Sequence, residues 1–334
     1  MPRLRKVHSD EPGIVRRRSG RGFSYWDPSG SRVRDPEVLE RIRGLVIPPA
    51  WRDVWICLDD RGHIQARGID AAGRRQYLYH AQWRLRRDRA KFDHMLDFAR
   101  VLPSLRRAVA GDLNGGADLT RERVLACSVR LLELGFFRIG GESYAAKHEH
   151  YGLATILKAH ARLEGGCTVV FDYVAKSGKR RLHAVVDDAV YEVVARLKRR
   201  RAGGPELLAY RTGRSWVDVT SADINAYLKD RSGGDFTAKD FRTWNATLLA
   251  AVQLATARPA PSHAARGRVV SRMYREVARF LGNTPAVVRS AYVDPRVVDH
   301  YEHGETIRRA LETPAGPDQP MPEPIEAALI ALLE

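Results

Sequence analysis

The chain has 334 residues, 44% of them apolar, and its 56 basic against 40 acidic side chains give a net charge of +16. That length and apolar content allow two folded domains and exclude disorder throughout. No apolar run approaches 18 residues, which excludes a membrane-spanning helix. So basic a chain favours a polyanionic partner, nucleic acid being the commonest. Only nine of the 56 basic residues are lysine. Arginine suits phosphate through its planar fork, although a GC-rich genome would produce the same bias. Cys57, Cys127 and Cys167 are far apart, lack metal-ligand spacing and read as reduced thiols. The N-terminus has charge but no apolar core, so no secretory leader is expected.

In chain order, residues 1–20 are basic and broken by Gly, Pro and Ser. Arg16, Arg17 and Arg18 there read as a flexible edge, either phosphate-contacting or simply solvated. Phe23 to Trp26 reads as a strand ending in a turn at Asp27 to Gly30. Asp35 and Pro36 are an N-cap and a first-turn proline for a short helix. Trp51 to Leu58 and His63 to Arg67 read as a hairpin. Gly73 to Tyr79 interleaves arginines, Gln76, Tyr77 and Tyr79, which suits a groove-facing strand or an ordinary edge strand. A charged helix starts at Ala81, and a domain boundary is expected near residue 90.

Beyond it the pattern is mostly helical. Leu119 to Leu134 is a periodic helix closed by Gly135, and the following loop delivers Arg138. Tyr151 to Leu163 reads as another helix. Cys167 to Ala175 and Arg181 to Val186 form a hairpin with Lys176 at its tip. Thr220 with Asp223, and Thr237 with Asp240, are capping boxes. The second box places Lys239 and Arg242 on one side of a helix start, where anions are favoured. Pro259 to Gly267 is expected to be a loop and Met273 to Leu281 a helix. Thr284 and Pro285 then start a short helix, with Asn283 just outside and Tyr292 about two turns inside. That spacing sets Asn283 and Tyr292 roughly 12–14 Å apart along a straight rod, so a shared site needs a bend or a long ligand. After Thr313 the chain is Pro-rich and acidic, ending in an apolar stretch that docks as one amphipathic helix or stays partly mobile.

No G-x-x-x-x-G-K-S/T or G-x-G-x-x-G run is present, so no ATP or dinucleotide cofactor is expected. The histidine-dense pieces at 148–152 and 299–303 lack a third spaced ligand, so no metal is expected either. What remains is a set suited to moving a phosphodiester onto protein. Such a step needs an oxygen nucleophile, cations on the non-bridging oxygens, a proton donor for the leaving oxygen and a frame that aligns them. Tyrosine, with a pKa near 10, leaves more easily than a sugar alkoxide, so the step reverses readily. For Tyr292 alone the plain alternative is a core tyrosine, for Arg138 a surface ion pair, for Lys176 a hairpin-tip lysine.

The stretch F-L-G-N-T-P-A-V-V-R-S-A-Y at 280–292 resembles the nucleophile segment of the type IB DNA topoisomerases, in particular their poxvirus-like and bacterial branch. The loop around Arg138 resembles the family's first-arginine loop, F-D-Y-V-A-K-S-G-K at 171–179 its lysine hairpin, and K-D-F-R-T-W-N at 239–245 its second-arginine helix. The resemblance covers roughly residues 20–300. Asn283 stands where viral and eukaryotic members carry His, and Ala175 replaces the glycine before the lysine, which is expected to stiffen the tip.

The resemblance implies an α+β fold shaped as a two-lobed clamp: a small antiparallel β-rich N-terminal domain over 1–90, a mostly helical catalytic domain with a small hairpin sheet over 91–312, and a tail over 313–334. It implies a monomeric, ATP-independent enzyme of the cytoplasm and nucleoid that relaxes supercoiled duplex DNA through a 3′-phosphotyrosyl link. Tyr292 would attack, Arg138, Arg242 and Asn283 would hold the phosphate, and Lys176 would give the proton. Gln76, Tyr77, Tyr79, Tyr144 and Lys239 would contact DNA, Lys239 being the alternative proton donor. The rivals are a tyrosine recombinase, which typically has H-x-x-R where Lys239 to Arg242 stands here, and a duplex-binding protein without catalysis.

Overall fold

The computed structural model describes residues 3–142, 145, 147, 149–258, 260–312 and 322–334. The chain divides into two compact units, Met1–Asp93 and His94–Glu334.

The first unit is built on a five-stranded antiparallel sheet. Its strands are β1 (Ile14–Ser19), β2 (Gly22–Trp26), β3 (Arg52–Ile56), β4 (Ile64–Ile69) and β5 (Arg75–Tyr79), in the order β2-β1-β3-β4-β5. Helix α1 (Pro36–Gly44) starts as its sequence dictates: Asp35 accepts from the amides of Glu37 and Val38, and Pro36 occupies the first turn. Ile42 of α1 is buried with Ile14, Val54, Ile56 and Ala66 from three strands. Truncating such a side chain costs about 2–5 kcal/mol. The basic run at Arg16 to Arg18 is not a flexible edge. It lies in β1, an interior strand, and Arg16 donates to the carbonyls of Ile47, Pro48 and Trp51 while its guanidinium sits 4.1 Å from the Phe23 ring centroid.

Helix α2 (Ala81–Asn114) runs through the division between the units. The second unit is mostly helical. It contains α3 (Arg121–Gly135), α4 (Asp188–Arg199), α5 (Ser221–Ser232), α6 (Ala238–Thr256), α7 (His263–Leu281), α8 (Pro285–Ala291), α9 (Pro295–Glu302), α10 (Arg308–Glu312) and α11 (Pro322–Leu333). Both capping boxes form, at Thr220 with Asp223 and at Thr237 with Asp240. Trp244, Phe98, Phe137, Phe171 and Phe241 are its largest fully buried side chains.

Two expectations fail here. Residues 151–163 are not a helix. They form two single-turn 3-10 segments, Leu153–Thr155 and Lys158–His160, and then strand β6 (Ala161–Glu164). The cause is non-local: Gly152 packs on Gly140 so closely that a Cβ on either would meet the other's backbone, and β6 pairs with β7. The lysine hairpin, β7 (Thr168–Ala175) and β8 (Lys179–Val186), is therefore part of a three-stranded sheet. Second, α7 begins at His263, capped by Ser262, well inside the stretch expected to be a loop. A separate hairpin of β9 (Ala209–Thr212) and β10 (Ser215–Asp218) completes the unit.

The C-terminal helix α11 is docked. Glu326 is buried, accepts from both terminal nitrogens of Arg106 and from the indole of Trp244, and Leu329 and Leu333 are buried beside it.

Candidate active site

The site gathers at the carboxyl end of α7. A helix leaves its last four carbonyls without a following turn to satisfy them, and its dipole makes that end negative. Here arginines take the place of the missing turn. Arg242, from the second turn of α6, donates to the carbonyl of Leu281 (3.0 Å) and to that of Phe136 (2.5 Å), the residue that caps α3. Arg138 donates to the carbonyl of Gly282 at 3.2 Å and to Oδ1 of Asn283. Arg242 is 4% exposed and Arg138 half-buried. A cation at the capped start of α6 is thus held by the carboxyl ends of α3 and α7, with no anion required.

The loop that carries Arg138 is shaped by its neighbours. Phe136, not Gly135, takes the left-handed conformation that ends α3, with φ 53° and ψ 27°. Gly135 is needed for a different reason: a Cβ there would lie inside the Phe137 ring. Backbone bonds from Leu153 to the Arg138 carbonyl (2.8 Å) and from Ala154 to the Ile139 carbonyl (2.7 Å) fix the loop's far side.

Tyr292 joins this cluster through a bend. Thr284 accepts from the Val287 amide and Pro285 opens α8, but α8 stops at Ala291. Tyr292 is its C-cap, with φ −126° and ψ −39°, outside helical geometry. Its carbonyl accepts from Thr247 of α6 at 3.2 Å, and the next turn is held by the Asp294 amide on the same hydroxyl. The Arg242 guanidinium lies 5.3 Å from the Tyr292 ring centroid. Asn283 and Tyr292 are therefore not at opposite ends of a straight rod as far as their side chains are concerned.

Two tyrosines that both face Arg242 and Arg138 are affected in opposite directions. Burial pushes the Tyr173 phenol up to about 12, and Arg181, Arg242 and Arg138 do not offset it. Burial also opposes ionisation of Tyr292, but there Arg242, then Arg138 and the Asn283 amide, outweigh it and hold the phenol below its ordinary value. Two donors remain beside it. Nε of Arg242 and Nδ2 of Asn283 are buried and make no hydrogen bond of ordinary geometry. Buried donors without acceptors are costly, and an anionic oxygen placed among them would satisfy both.

Lys176 makes none of these contacts. It is exposed at the hairpin tip, the first of three residues between Ala175 and Lys179. Ser177 (φ 69°) and Gly178 (φ 68°) absorb the turn in the left-handed region, whereas Ala175 is extended (φ −97°, ψ −178°). Alanine in place of glycine at 175 therefore carries no conformational penalty. Lys239 is exposed one turn before Arg242, whose side chain is buried. In the first unit, Tyr77 and Tyr79 stack on one face of β5, ring centroids 6.0 Å apart. Gln76 is on the other face with Leu78, and its amide donates to Asp70 at 2.9 Å. Tyr144 lies outside the described residues.

Sequence reasoning missed Arg181 and His183. Both lie on the face of β8 that carries the pairings to Tyr173 and Phe171, so strand alternation from Lys176 could have found them.

A tyrosine whose ionisation is favoured by two arginines, with buried donors beside it, is chemically suited to receive a phosphoryl group on its phenol oxygen. Comparison with known proteins agrees. Residues 80–312 match the family described as eukaryotic DNA topoisomerase I, catalytic core, and residues 22–70 match the N-terminal domain of bacterial DNA topoisomerase IB. The chain belongs to this family and is a DNA topoisomerase of type IB, an isomerase acting on duplex DNA. It is 28% identical over 299 residues to DNA topoisomerase 1B of Acanthamoeba polyphaga mimivirus, covering 87% of this chain and 88% of that one. It is also 26% identical over 168 residues to DNA topoisomerase 1 of Schizosaccharomyces pombe (strain 972 / ATCC 24843), covering 50% of this chain and 19% of the yeast protein.

Proposed function

We propose that this topoisomerase relaxes supercoiled DNA as a monomer, with Tyr292 as its nucleophile. The observation that carries the assignment is the Arg242 guanidinium 5.3 Å from the Tyr292 ring centroid, with Arg138 bound to Asn283 in the same cluster; these groups favour ionisation of Tyr292, whereas burial disfavours that of Tyr173. Tyr292 loses its proton to solvent, the phenolate oxygen attacks the scissile phosphorus, the bond to the 5′-oxygen breaks, and a 3′-phosphotyrosyl link forms. Arg138 and Arg242 neutralise the non-bridging oxygens, and Asn283 donates an amide hydrogen to one of them. Lys176 gives its proton to the departing 5′-oxygen, with Lys239 as second candidate. Strand rotation and reversal of the same step complete the cycle. The bond energy is kept in the link, so neither nucleotide nor metal takes part.

Gln76, Tyr77, Tyr79, Tyr144 and Lys239 are proposed as DNA contacts. The functional organisation we infer is a DNA-clamp domain over 1–90, a catalytic domain over 91–312 and a tail over 313–334, in an enzyme working in the cytoplasm at the nucleoid. The decisive experiment traps the covalent complex with denaturant on supercoiled plasmid, in EDTA and without nucleotide. Wild type should leave a protein–DNA adduct and relaxed product. Tyr292→Phe should leave neither while still binding duplex; relaxation above about a percent of wild type, or an absolute need for Mg²⁺ or ATP, rejects the assignment.

A further inference from the structure

Three of the four carbonyl contacts at the end of α7 are not made by Arg138. Arg242 takes Leu281, and a third arginine, Arg181 of β8, takes the other two. Arg181 Nη1 donates to the Arg279 carbonyl at 3.0 Å, and its Nη2 donates to the Phe280 carbonyl. Nε of the same guanidinium donates to Nε2 of His183 at 3.1 Å. The whole fork is thus engaged. Its far side is closed by Gly282, where a Cβ would come within 2.9 Å of Nη1.

The position of this contact matters more than its strength. Arg181 is five residues from Lys176, on the strand that leaves the lysine turn. Its acceptors are the last residues before Gly282, Asn283 and the Thr284 cap of the tyrosine helix. No other hydrogen bond described here runs from the β7–β8 hairpin to α7. We infer that Arg181 is a positioning residue for strand cleavage: it latches the hairpin that carries Lys176 to the segment that carries Asn283 and Tyr292, and so sets where the lysine stands relative to the nucleophile.

Two features fit a latch rather than a phosphate ligand. Each guanidinium nitrogen of Arg181 already donates to a carbonyl or to the imidazole, whereas Nε of Arg242 is buried with no hydrogen-bond partner. The imidazole is also kept as an acceptor, because burial, then the charges of Arg181 and Arg242, push His183 down to about 4. A lysine at 181 is a single point charge and cannot span two carbonyls and an imidazole in one plane.

The inference rests on the reading of Lys176 as proton donor, and the experiment separates the two. Single-turnover cleavage is measured for wild type, Arg181→Ala, Arg181→Lys, Lys176→Ala and the Arg181→Ala/Lys176→Ala double variant. Each is tested on duplex with oxygen or with sulfur at the bridging 5′ position, alongside duplex affinity and melting temperature. A thiolate leaves without a proton, so a defect that acts through the acid is relieved by sulfur. Arg181→Ala should cleave the oxygen substrate about 10- to 100-fold slower, the size of effect a misplaced catalytic group produces. Most of that loss should vanish with sulfur, duplex affinity should change less than about threefold, and Arg181→Lys should be nearly as slow as Arg181→Ala. The double variant should be no slower than Lys176→Ala alone, because a residue acting through another shows no further loss once that other is gone. If Lys176→Ala is not relieved by sulfur, the donor reading fails, and the double variant alone judges the latch. Additive losses in that variant, a defect in Arg181→Ala equal on both substrates, or wild-type cleavage by Arg181→Ala overturn the inference.

Discussion

At the carboxyl end of α7 three arginines are fixed by backbone carbonyls, whereas at the tip of the β7–β8 hairpin Lys176 stands exposed on a three-residue turn. In the proposed mechanism the two ends hold charge for different tasks. A charge that must meet a transition state gains most from being placed in advance, since nothing then has to reorganise during reaction. Arginine allows this because it stays cationic even where burial and neighbouring cations pull its pKa down, as they do for Arg242. A proton donor must instead give up its charge, and an exposed lysine on a latched strand can follow the leaving oxygen. The cations of the proposed site thus divide into a part fixed by backbone carbonyls and an exposed part that is not.

The comparison breaks most visibly if a fixed arginine proves dispensable. Arg242→Ala should slow cleavage by about 10³-fold or more, the range found for arginines that meet transferring phosphoryl groups. It should also lower the melting temperature, because the Phe136 and Leu281 carbonyls lose their donor at about 1–3 kcal/mol for each buried orphan. Cleavage at wild-type speed would mean that this guanidinium only caps helices.

The exposed part should show the opposite pairing of effects. Lys176→Ala should lose about 10²- to 10⁴-fold in cleavage, as expected for a general acid, with no change in melting temperature, since the side chain is exposed. A large drop in stability would show that the tip is structural.

Asn283 sits between the two. Its Oδ1 is held by Arg138, and its Nδ2 is buried near the Tyr292 phenol without a hydrogen bond of ordinary geometry. One neutral donor to a charged oxygen is worth about 1.5–3 kcal/mol, so Asn283→Ala should cleave roughly 10- to 150-fold slower, less than Arg242→Ala. Asn283→His should stay active and acquire a pH dependence that an amide lacks. The check is cleavage rate against pH, and an unimpaired alanine variant removes Asn283 from the chemistry.

A last effect is on stability and not on cleavage. His183 is held near 4 in the fold, against an ordinary value of 6.5, so between those pH values the unfolded chain binds more protons. Stability is therefore complete above about 6.5 and declines as pH falls toward 4, by about 3 kcal/mol over the window at 1.36 kcal/mol per unit. His183→Gln, which keeps an acceptor for Arg181, should flatten that decline in denaturant titrations; an unchanged slope would place the buried proton elsewhere.

Much of this was legible in the sequence where the chemistry is local. Thr284 with Pro285, Asp35 with Pro36 and the boxes at Thr220 and Thr237 are caps made by neighbours in the chain, and each forms. Tyr292, Arg138 and Arg242 were visible through motif resemblance, but their convergence was not, because it depends on α8 ending before Tyr292. Residues 151–163 were misread since their conformation is set by Gly140 and by pairing with β7. Strand alternation could place Arg181 on its face of β8, but its partners could not be read: they are carbonyls about a hundred residues away, which no side-chain pattern announces. The split of Gln76 from Tyr77 and Tyr79 could have been read, since adjacent strand residues face opposite ways.

Gly282 ties the latch to heredity. Its left-handed φ of 66° is open to asparagine as well as glycine, but the space where a Cβ would go is occupied by the Arg181 guanidinium. Position 282 is therefore constrained twice, once by its own backbone and once by a side chain from another strand. Descendants of this gene that lose the arginine at 181 are released from the second constraint, and asparagine becomes admissible at 282. In lineages that keep the arginine, the glycine should be kept with it, so the two positions are expected to drift together.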